Sequence, residues 1–424
     1  MRVVLLELRR TKAWYGAVII VGISLWSGIV SLRTGVPLAG DATAGVTTAS
    51  VYATPLVAAC FAVSSSSRRV RGLYVRAAGA ARAGYAEYLP QLTALITVLL
   101  LGCGVTVVLL QLTLASVGAW GVLIGSWLVV WAAALVLAGT VGYLIGLIPV
   151  PRVLAAPLAF GAVFGAWSIV SFLHASDVLG YGATSLFPVM TNTTNPFVRY
   201  LDATPTGQVL FFLGLAMFAF AVTATYISMR RRGLVLAVVG ALVACTAGGA
   251  LVIANDGQVT TGNNAGLYTC VETTFTVCVH PAYANGTDQL VEEFGTLAPR
   301  VTGTPLEFTR LEQNVAGVGE RVSAGAKSVY VEDLGEGFAD LSIARYIQKY
   351  GGSGNCSTYE GSAVESVIDS WLAGTPSWVS QSNALEAPIA QTFEGRPMEH
   401  NRDWLISHFD EYVDCSLTFD DLES

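Results

Sequence analysis

Charge is scarce in this 424-residue chain: Asp, Glu, Lys and Arg together make up 12% of it. A soluble domain carries about 25%. Lysine is nearly missing, with only Lys12, Lys327 and Lys349, and so is histidine, with four. No Gly-Lys pair occurs anywhere. A Gly-Lys-Ser/Thr phosphate loop is therefore excluded, and with it nucleotide hydrolysis by that route. No H-E-x-x-H helix and no G-x-S-x-G elbow occurs either. The histidines are His174, His280, His400 and His408; none has ligand spacing, and His280, before Pro281, reads as the end of a strand. No catalytic residue, cofactor or metal is expected, and no enzyme activity.

What the chain has instead is apolar length, with 53% hydrophobic residues and mean hydropathy +0.57. About 20 apolar residues cross hydrocarbon at 1.5 Å per residue. Seven such runs occur, near 13–32, 47–64, 89–114, 119–148, 153–173, 206–228 and 234–254, and their interiors lack Asp, Glu, Lys and Arg. A charge at mid-bilayer costs roughly 2.5–3.5 kcal/mol, so the pattern predicts seven transmembrane helices, the second of them the shortest. The first run is longer than the apolar core of a removable signal peptide.

Charge divides the chain in two. Residues 1–254 hold 15 Lys+Arg and 5 Asp+Glu, and residues 255–424 hold 8 and 25. One set of span ends carries Arg2, Arg9, Arg10, Lys12, Arg68, Arg69, Arg71, Arg76, Arg82, Arg152, Arg230, Arg231 and Arg232; the opposite loops carry Arg33 and Arg199. The basic side stays cytoplasmic. The N-terminus is then inside, and an odd number of spans puts the C-terminal part outside. The prediction is a multi-pass protein of the cell membrane, its solvent the lipid bilayer, with no nucleic-acid partner.

The fold class expected is an α-helical polytopic membrane domain, residues 1–254, followed by a small α+β disulfide-bonded extracytoplasmic domain, residues 255–424. Asn255–Gly266 reads as a short linker. Cys270, Cys278, Cys356 and Cys415 lie in the second part, and an even cysteine count outside the cell fits disulfides. Strands at Leu267–Glu272 and Phe275–His280, turning near Thr273 and Thr274, set Cys270 almost opposite Cys278. Of the three pairings possible, Cys270–Cys278 with Cys356–Cys415 is preferred. Helical spacing runs through Leu290, Val291, Phe294 and Leu297; strands are expected at Leu306–Leu311 and Ser328–Val331. Further helices are expected at Ala339–Tyr350, Ala363–Leu372 and Arg402–Val413.

Three features of the first part go beyond hydrophobicity. Met1–Lys12 reads either as an interfacial amphipathic helix or as a plain basic stop signal. The loop Ser64–Tyr88 carries five arginines; a short helix docking on a cytoplasmic partner is preferred over a purely topogenic loop, which needs no such length. G-x-x-x-G patterns at Gly121/Gly125, Gly142/Gly146 and Gly161/Gly165 point to close helix packing. No charge lies inside a run, so no ion or proton relay is visible.

This order of features resembles the permease subunits of type 2 ATP-binding-cassette exporters. It runs from a basic amphipathic start through two spans and an arginine-rich cytoplasmic loop to further spans without an ATPase motif. The resemblance implies an elbow helix at Met1–Lys12. It also implies a coupling segment at Arg68–Arg82, through Arg68, Arg69, Arg71, Arg76 and Arg82, a run similar to that of such permeases in actinobacteria. It further implies a separate ATPase subunit, a homodimer or sister permease, and export of a peptide, antibiotic or lipid-like cargo. The family core has six spans, where seven runs occur here, and the second part lies outside that core. Its Cys278–Tyr283 run and late Trp404 and Cys415 resemble a domain of actinobacterial membrane proteins of unassigned role. The alternative expectation is a receptor or immunity protein whose outer domain binds a ligand.

The topology makes a direct prediction. After reduction, a membrane-impermeant thiol reagent labels Cys270 and Cys415 in intact cells; reaction only after lysis would refute the orientation.

Overall fold

The computed structural model describes residues 13–32, 35–70, 83–175, 186, 198–228, 232–255, 257, 260–263, 268–314, 322–351, 356–382 and 386–423. The chain divides into two compact units. One, the helical unit, is Met1–Arg33, Pro37–Thr194 and Val198–Gly262; the other, the sheet unit, is Thr34–Val36, Asn195–Phe197 and Asn263–Ser424.

The helical unit is built from α1 (Ala13–Val30), α2 (Ala39–Val70), α3 (Ala83–Ser116), α4 (Gly125–Leu147), α5 (Arg152–Ala175), α6 (Ala203–Ser228) and α7 (Arg232–Ala254), with a two-stranded ribbon of β1 (Val198–Tyr200) and β2 (Thr260–Asn263). Among the described residues six helices, α2 to α7, are long and apolar enough to cross a membrane; the apolar part of α1, Gly16–Val30, is shorter. The strand β2 falls inside the stretch expected as linker. Most of the connection between α5 and α6 lies outside the described residues, as do Met1–Lys12.

The second expected run needs correction. It is not the shortest but one of the longest helices, with the candidate span Ala39–Ser67 of 29 residues. It also holds a charge, Asp41 in its first turn, 6% exposed. Ser and Thr lower the hydropathy of residues 39–54 and hide the run. The hydroxyls nevertheless sit comfortably in a helix because they bond to carbonyls one turn back. Thr43 Oγ1 donates to Ala39 O at 3.1 Å, Thr48 Oγ1 to Ala44 O at 2.9 Å and Thr54 Oγ1 to Ser50 O at 2.7 Å. Asp41 at the helix start faces the favourable end of the macrodipole.

Helices α2 and α4 run side by side in the same direction. At one end the Ile124 amide donates to Thr43 Oγ1 at 3.1 Å. At the other, a Cβ on Gly142 would collide with the Ala58 backbone, and one on Gly146 with the Ala62 carbonyl and Ser65 hydroxyl. Glycine thus lets the two backbones touch, Gly142/Gly146 against Ala58/Ala62, a small-xxx-small pair on each side. The other two G-x-x-x-G patterns do not pack this way: Gly121, Gly125, Gly161 and Gly165 all face open space. Helix α4 is enclosed by its neighbours, with Trp127, Trp131 and Tyr143 all at 0–1% exposure.

The sheet unit centres on β3 (Thr269–Glu272), β4 (Thr276–Val279), β5 (Arg310–Asn314) and β6 (Lys327–Tyr330), in that spatial order. The first pair is antiparallel and the other two are parallel. The middle strands β4 and β5 are buried through almost their whole length. The expected strand at Leu306–Leu311 is displaced to Arg310–Asn314. Its polar residues read as loop, yet they pair inside: Gln313 Nε2 donates to Val331 O at 2.9 Å, and its Oε1 accepts from the His280 amide at 2.8 Å. The edge strand β6 is closed by side chains. Tyr350 OH accepts from the Ser328 amide at 2.8 Å, and Ser342 Oγ donates to Tyr330 O at 2.8 Å, a cover that removes an open pairing edge.

Helix α8 (Thr287–Val301) inserts Leu290, Phe294 and Leu297, all at 0% exposure, beside Phe308 and Tyr346. The remaining helices are α9 (Phe338–Tyr350), α10 (Tyr359–Ala373), α11 (Trp378–Ser382), α12 (Ala387–Glu394), α13 (Met398–Ser407), α14 (Phe409–Val413) and α15 (Phe419–Glu423). Trp371, Phe393 and Trp404 form a second aromatic run among them. The helix expected across Arg402–Val413 is broken at His408, whose ring stacks on Trp404 at 4.6 Å. Cys270 pairs with Cys278 in register across β3 and β4, and Cys356 with Cys415 across 59 residues. By chain entropy the long closure contributes about 4 kcal/mol and the short one about 2.5 kcal/mol.

Close α2–α4 packing yields a test. Gly142→Val forces the helices apart at a cost of about 1–3 kcal/mol or more, so thermal unfolding in detergent shifts down. Gly161→Val, on an open face, leaves the midpoint in place.

Candidate functional site

The most enclosed of the six long helices is also the most polar. On α2, Thr43, Thr47, Ser50 and Thr54 are all fully buried, at i+3 and i+4 spacing, so one face of α2 is a hydroxyl stripe. Two of the neighbouring groups stand out. Ser50 Oγ and, on α1, Ser24 Oγ are buried without a hydrogen-bond partner among the described residues. Gly28 lies against Ala42 and Val46, and Gly16 against Cys60; this antiparallel register brings Ser24 to the level of Ser50. The indole N–H groups of Trp127 and Trp131 on α4 are likewise buried and unbonded. A buried polar atom left unpaired costs about 1–3 kcal/mol, so this stripe is held at some expense.

The stripe ends at a proline. Pro55 lacks an amide, so the Val51 carbonyl has no donor one turn on, and the helix is weakened there. One residue before it, Thr54 Oγ1 accepts from Trp167 Nε1 of α5 at 2.7 Å. The Trp167 ring meets Phe212 of α6 edge-on, centroids 6.1 Å apart. Around this ring lies a cleft of about 460 Å³. Its walls are Val163, Trp167 and Val170 of α5 and Phe212, Leu215 and Phe218 of α6; its floor is Leu137, Ala138 and Val141 of α4. A second apolar cleft of about 410 Å³ lies between α1, α2 and α3, lined by Ile20, Leu56, Cys60 and Leu99.

Toward the arginine end of α2, three helices are tied together. Tyr143 OH of α4 donates to Gln91 Oε1 of α3 at 3.1 Å, and Gln91 Nε2 donates to the Ser64 carbonyl of α2 at 3.2 Å. Both side chains are buried. Helix α2 runs on to Val70, so Arg68 and Arg69 belong to its last turn. Arg71, Arg76 and Arg82 lie outside the described residues, and so do the side chains of Arg68 and Arg69. Sequence reasoning missed the stripe, Gln91 and Trp167. The stripe had a signal, four hydroxyl residues at helical spacing; Trp167 had none, because its partner is 113 residues away.

In the sheet unit, the expected cysteines are brought together in two places. Cys270 and Cys278 join the β3–β4 hairpin. Cys356 and Cys415 sit beside α10, where Glu365 Oε2 is 3.2 Å from Cys356 Sγ. These two sulfurs and Glu365 lie close enough to hold a metal ion. The sulfurs are bonded to each other, however, and a disulfide offers no thiolate ligand. One turn on, Asp369 accepts from Tyr412 OH. Burial raises the Asp369 carboxyl to about 6, against a lowering by that bond, and burial pushes the Tyr412 phenol well up. An open groove of about 440 Å³ between α9 and α10 is lined by Arg345, Gln348, Glu365 and Asp369.

His280 follows β4 and caps the 3-10 turn Pro281–Gly286, its Nδ1 accepting from the Ala282 amide. Burial lowers it to about 4, so it is neutral. In β5, burial raises the Glu312 carboxyl, but bonds from Ser323 and Arg310 outweigh it and leave the group below its usual value. These are structural placements of charge. Elsewhere Ser407 Oγ lies 3.1 Å from His408 Nδ1, which also lies 2.9 Å from the Trp404 carbonyl.

Comparison with protein-family models, with curated proteins and with solved structures finds no match to this chain.

The Asp369 environment predicts a pH dependence. Folded Asp369 keeps its proton up to about pH 6, whereas an unfolded carboxyl loses it near 3.8. Its contribution to stability is therefore largest below pH 3.8, falls as pH rises to 6, and stays unfavourable above. The difference is roughly 2–3 kcal/mol. Asp369→Asn keeps an acceptor for Tyr412 and flattens this segment of the thermal-midpoint profile between pH 4 and 6; an unchanged slope would disprove the assignment.

Proposed function

We propose that the chain is the membrane-spanning subunit of an ATP-binding-cassette transporter. It would work with a separate ATPase subunit, as a homodimer or beside a sister permease. The helical unit sits in lipid with its arginine-bearing ends in the cytoplasm, and the sheet unit is extracytoplasmic. Exposed apolar side chains support the lipid setting: Val153 is 84% exposed, Leu236 77%, Phe172 71% and Trp26 71%. Such faces are stable in hydrocarbon and costly in water.

The observation that carries the coupling part is the continuity of α2. It leads unbroken from the arginine segment, past the Gln91–Tyr143 tie, to Pro55 and the Thr54–Trp167 bond. A partner pushing on Arg68 and Arg69 in the last turn of α2 moves a helix that passes the aromatic wall of a cleft. ATP hydrolysis happens on the partner, and this chain turns the displacement into a change at the cleft. The cargo is a peptide, antibiotic or lipid-like molecule, which the sheet unit receives or gates.

A receptor or immunity role is favoured by one feature, the open groove of the sheet unit with its own core. It requires a ligand-binding fragment 255–424 and no ATPase partner.

The test is association. Replacing Arg68, Arg69, Arg71, Arg76 and Arg82 by Gln abolishes co-purification with the ATPase, while replacing Arg230, Arg231 and Arg232 leaves it intact. Unchanged association in the first variant removes the coupling assignment.

A further inference from the structure

We infer that the cleft between α5 and α6 receives one alkyl chain of a bilayer lipid from the side. This deepens the proposed function and rests on its lipid setting, not on the ATPase partner. Four observations select this occupant. The lining is apolar throughout, with side chains from α4, α5 and α6 and Leu186 of the connection between α5 and α6. The one polar group at its wall, Trp167 Nε1, is turned away and bonded to Thr54, so the cleft offers nothing to water or to a polar cargo. The walls continue outward into exposed apolar residues on the same helices, such as Phe164 on α5 and Phe218 and Leu213 on α6, so the cleft opens onto the lipid-facing belt. And its α5 wall from Val163 to Val170 spans about 10 Å at 1.5 Å per residue, long enough for part of an extended acyl chain.

A lipid tail gains no hydrophobic free energy on leaving other tails, since they are as apolar as the lining. Selectivity must come from dispersion, about 0.1–0.2 kcal/mol for each well-placed atom pair. Aromatic walls provide many such pairs at once. Trp167, pinned by Thr54 and braced on Phe212, cannot swing in to fill the slot itself. The same pinning links occupancy to α2: a chain in the cleft presses on the ring that α2 holds.

The experiment uses the full chain in nanodiscs made with a phospholipid bearing a diazirine midway along one acyl chain, without nucleotide or ATPase. After irradiation, adducts are mapped by mass spectrometry. They are expected to concentrate on residues 162–170 and 211–219, several-fold above the exposed belt residues Leu236, Val239 and Leu242 of α7. Ala166→Phe, and independently Leu215→Trp from the opposite wall, fill the slot and lower cleft adducts several-fold while α7 adducts stay the same. Equal labelling of cleft and belt, or no effect of either variant, overturns the inference. Cleft labelling below that of α7 overturns it too, because a protein segment then covers the cleft. Absence of adducts on α7 as well would overturn the lipid setting itself, an outcome distinct from loss of ATPase association.

Discussion

The helical unit depends on the contact between α2 and α4. A helix with buried Thr, Ser and Asp would normally lie at a surface, where water satisfies its polar groups. Here it is enclosed, because Gly142 and Gly146 allow backbone-to-backbone approach and because the hydroxyls find carbonyls in their own helix. Close approach compensates for the poor hydrophobicity of α2 with dispersion contacts along its length. Once α2 is fixed against α4, helix α5 is carried beside it through Thr54 and Trp167, and the cleft over α4 takes its shape.

The sheet unit solves a different problem. Its four short strands and many short helices leave little regular hydrogen bonding to hold distant segments. The Phe294–Phe308–Tyr346 cluster supplies the core on one side of the sequence, and the Trp371–Phe393–Trp404 run on the other. The Cys356–Cys415 bridge ties the start of α10 to the chain end beyond α14. Inside this frame, two carboxyls are held in different ways. Glu312 is fully buried yet bonded to Arg310 at 2.7 Å and to the Ser323 amide, whereas Asp369 accepts from Tyr412 OH and is shifted up by burial.

The two halves of the proposed mechanism meet at a single residue type. Hydroxyls on α2 are small enough to bury, polar enough to accept from an indole, and flexible enough to exchange that bond for another. A charged group in that place would cost several kcal/mol to bury and would lock the helix. An apolar group would remove the bond from Trp167 Nε1. Hydroxyl chemistry beside a proline therefore suits the joint that the proposed coupling asks for.

Much of the architecture was legible from local pattern. Apolar length marked the helices, cross-strand spacing set Cys270 opposite Cys278, and 3.6-residue spacing through Leu290, Phe294 and Leu297 marked α8. These follow from period and composition, which a sequence carries directly. The extent of α2 was not legible, because its Ser and Thr lower the hydropathy while their bonds close within the helix; the strand at Arg310–Asn314 was not, because Gln313 pairs with the distant His280 and Val331; and the break at His408 was not, because its ring turns back on Trp404. Glycine spacing likewise nominated three packing motifs and could not say that only Gly142/Gly146 meets a partner within the described residues. The chain by itself determined where its solvent-averse and disulfide-forming segments lie, since those properties are additive along the backbone. Only the tertiary structure decided which polar groups are shielded, which small residues are touched and that Trp167 stands between α2 and a cleft, because those depend on pairwise distances that no one-dimensional pattern contains.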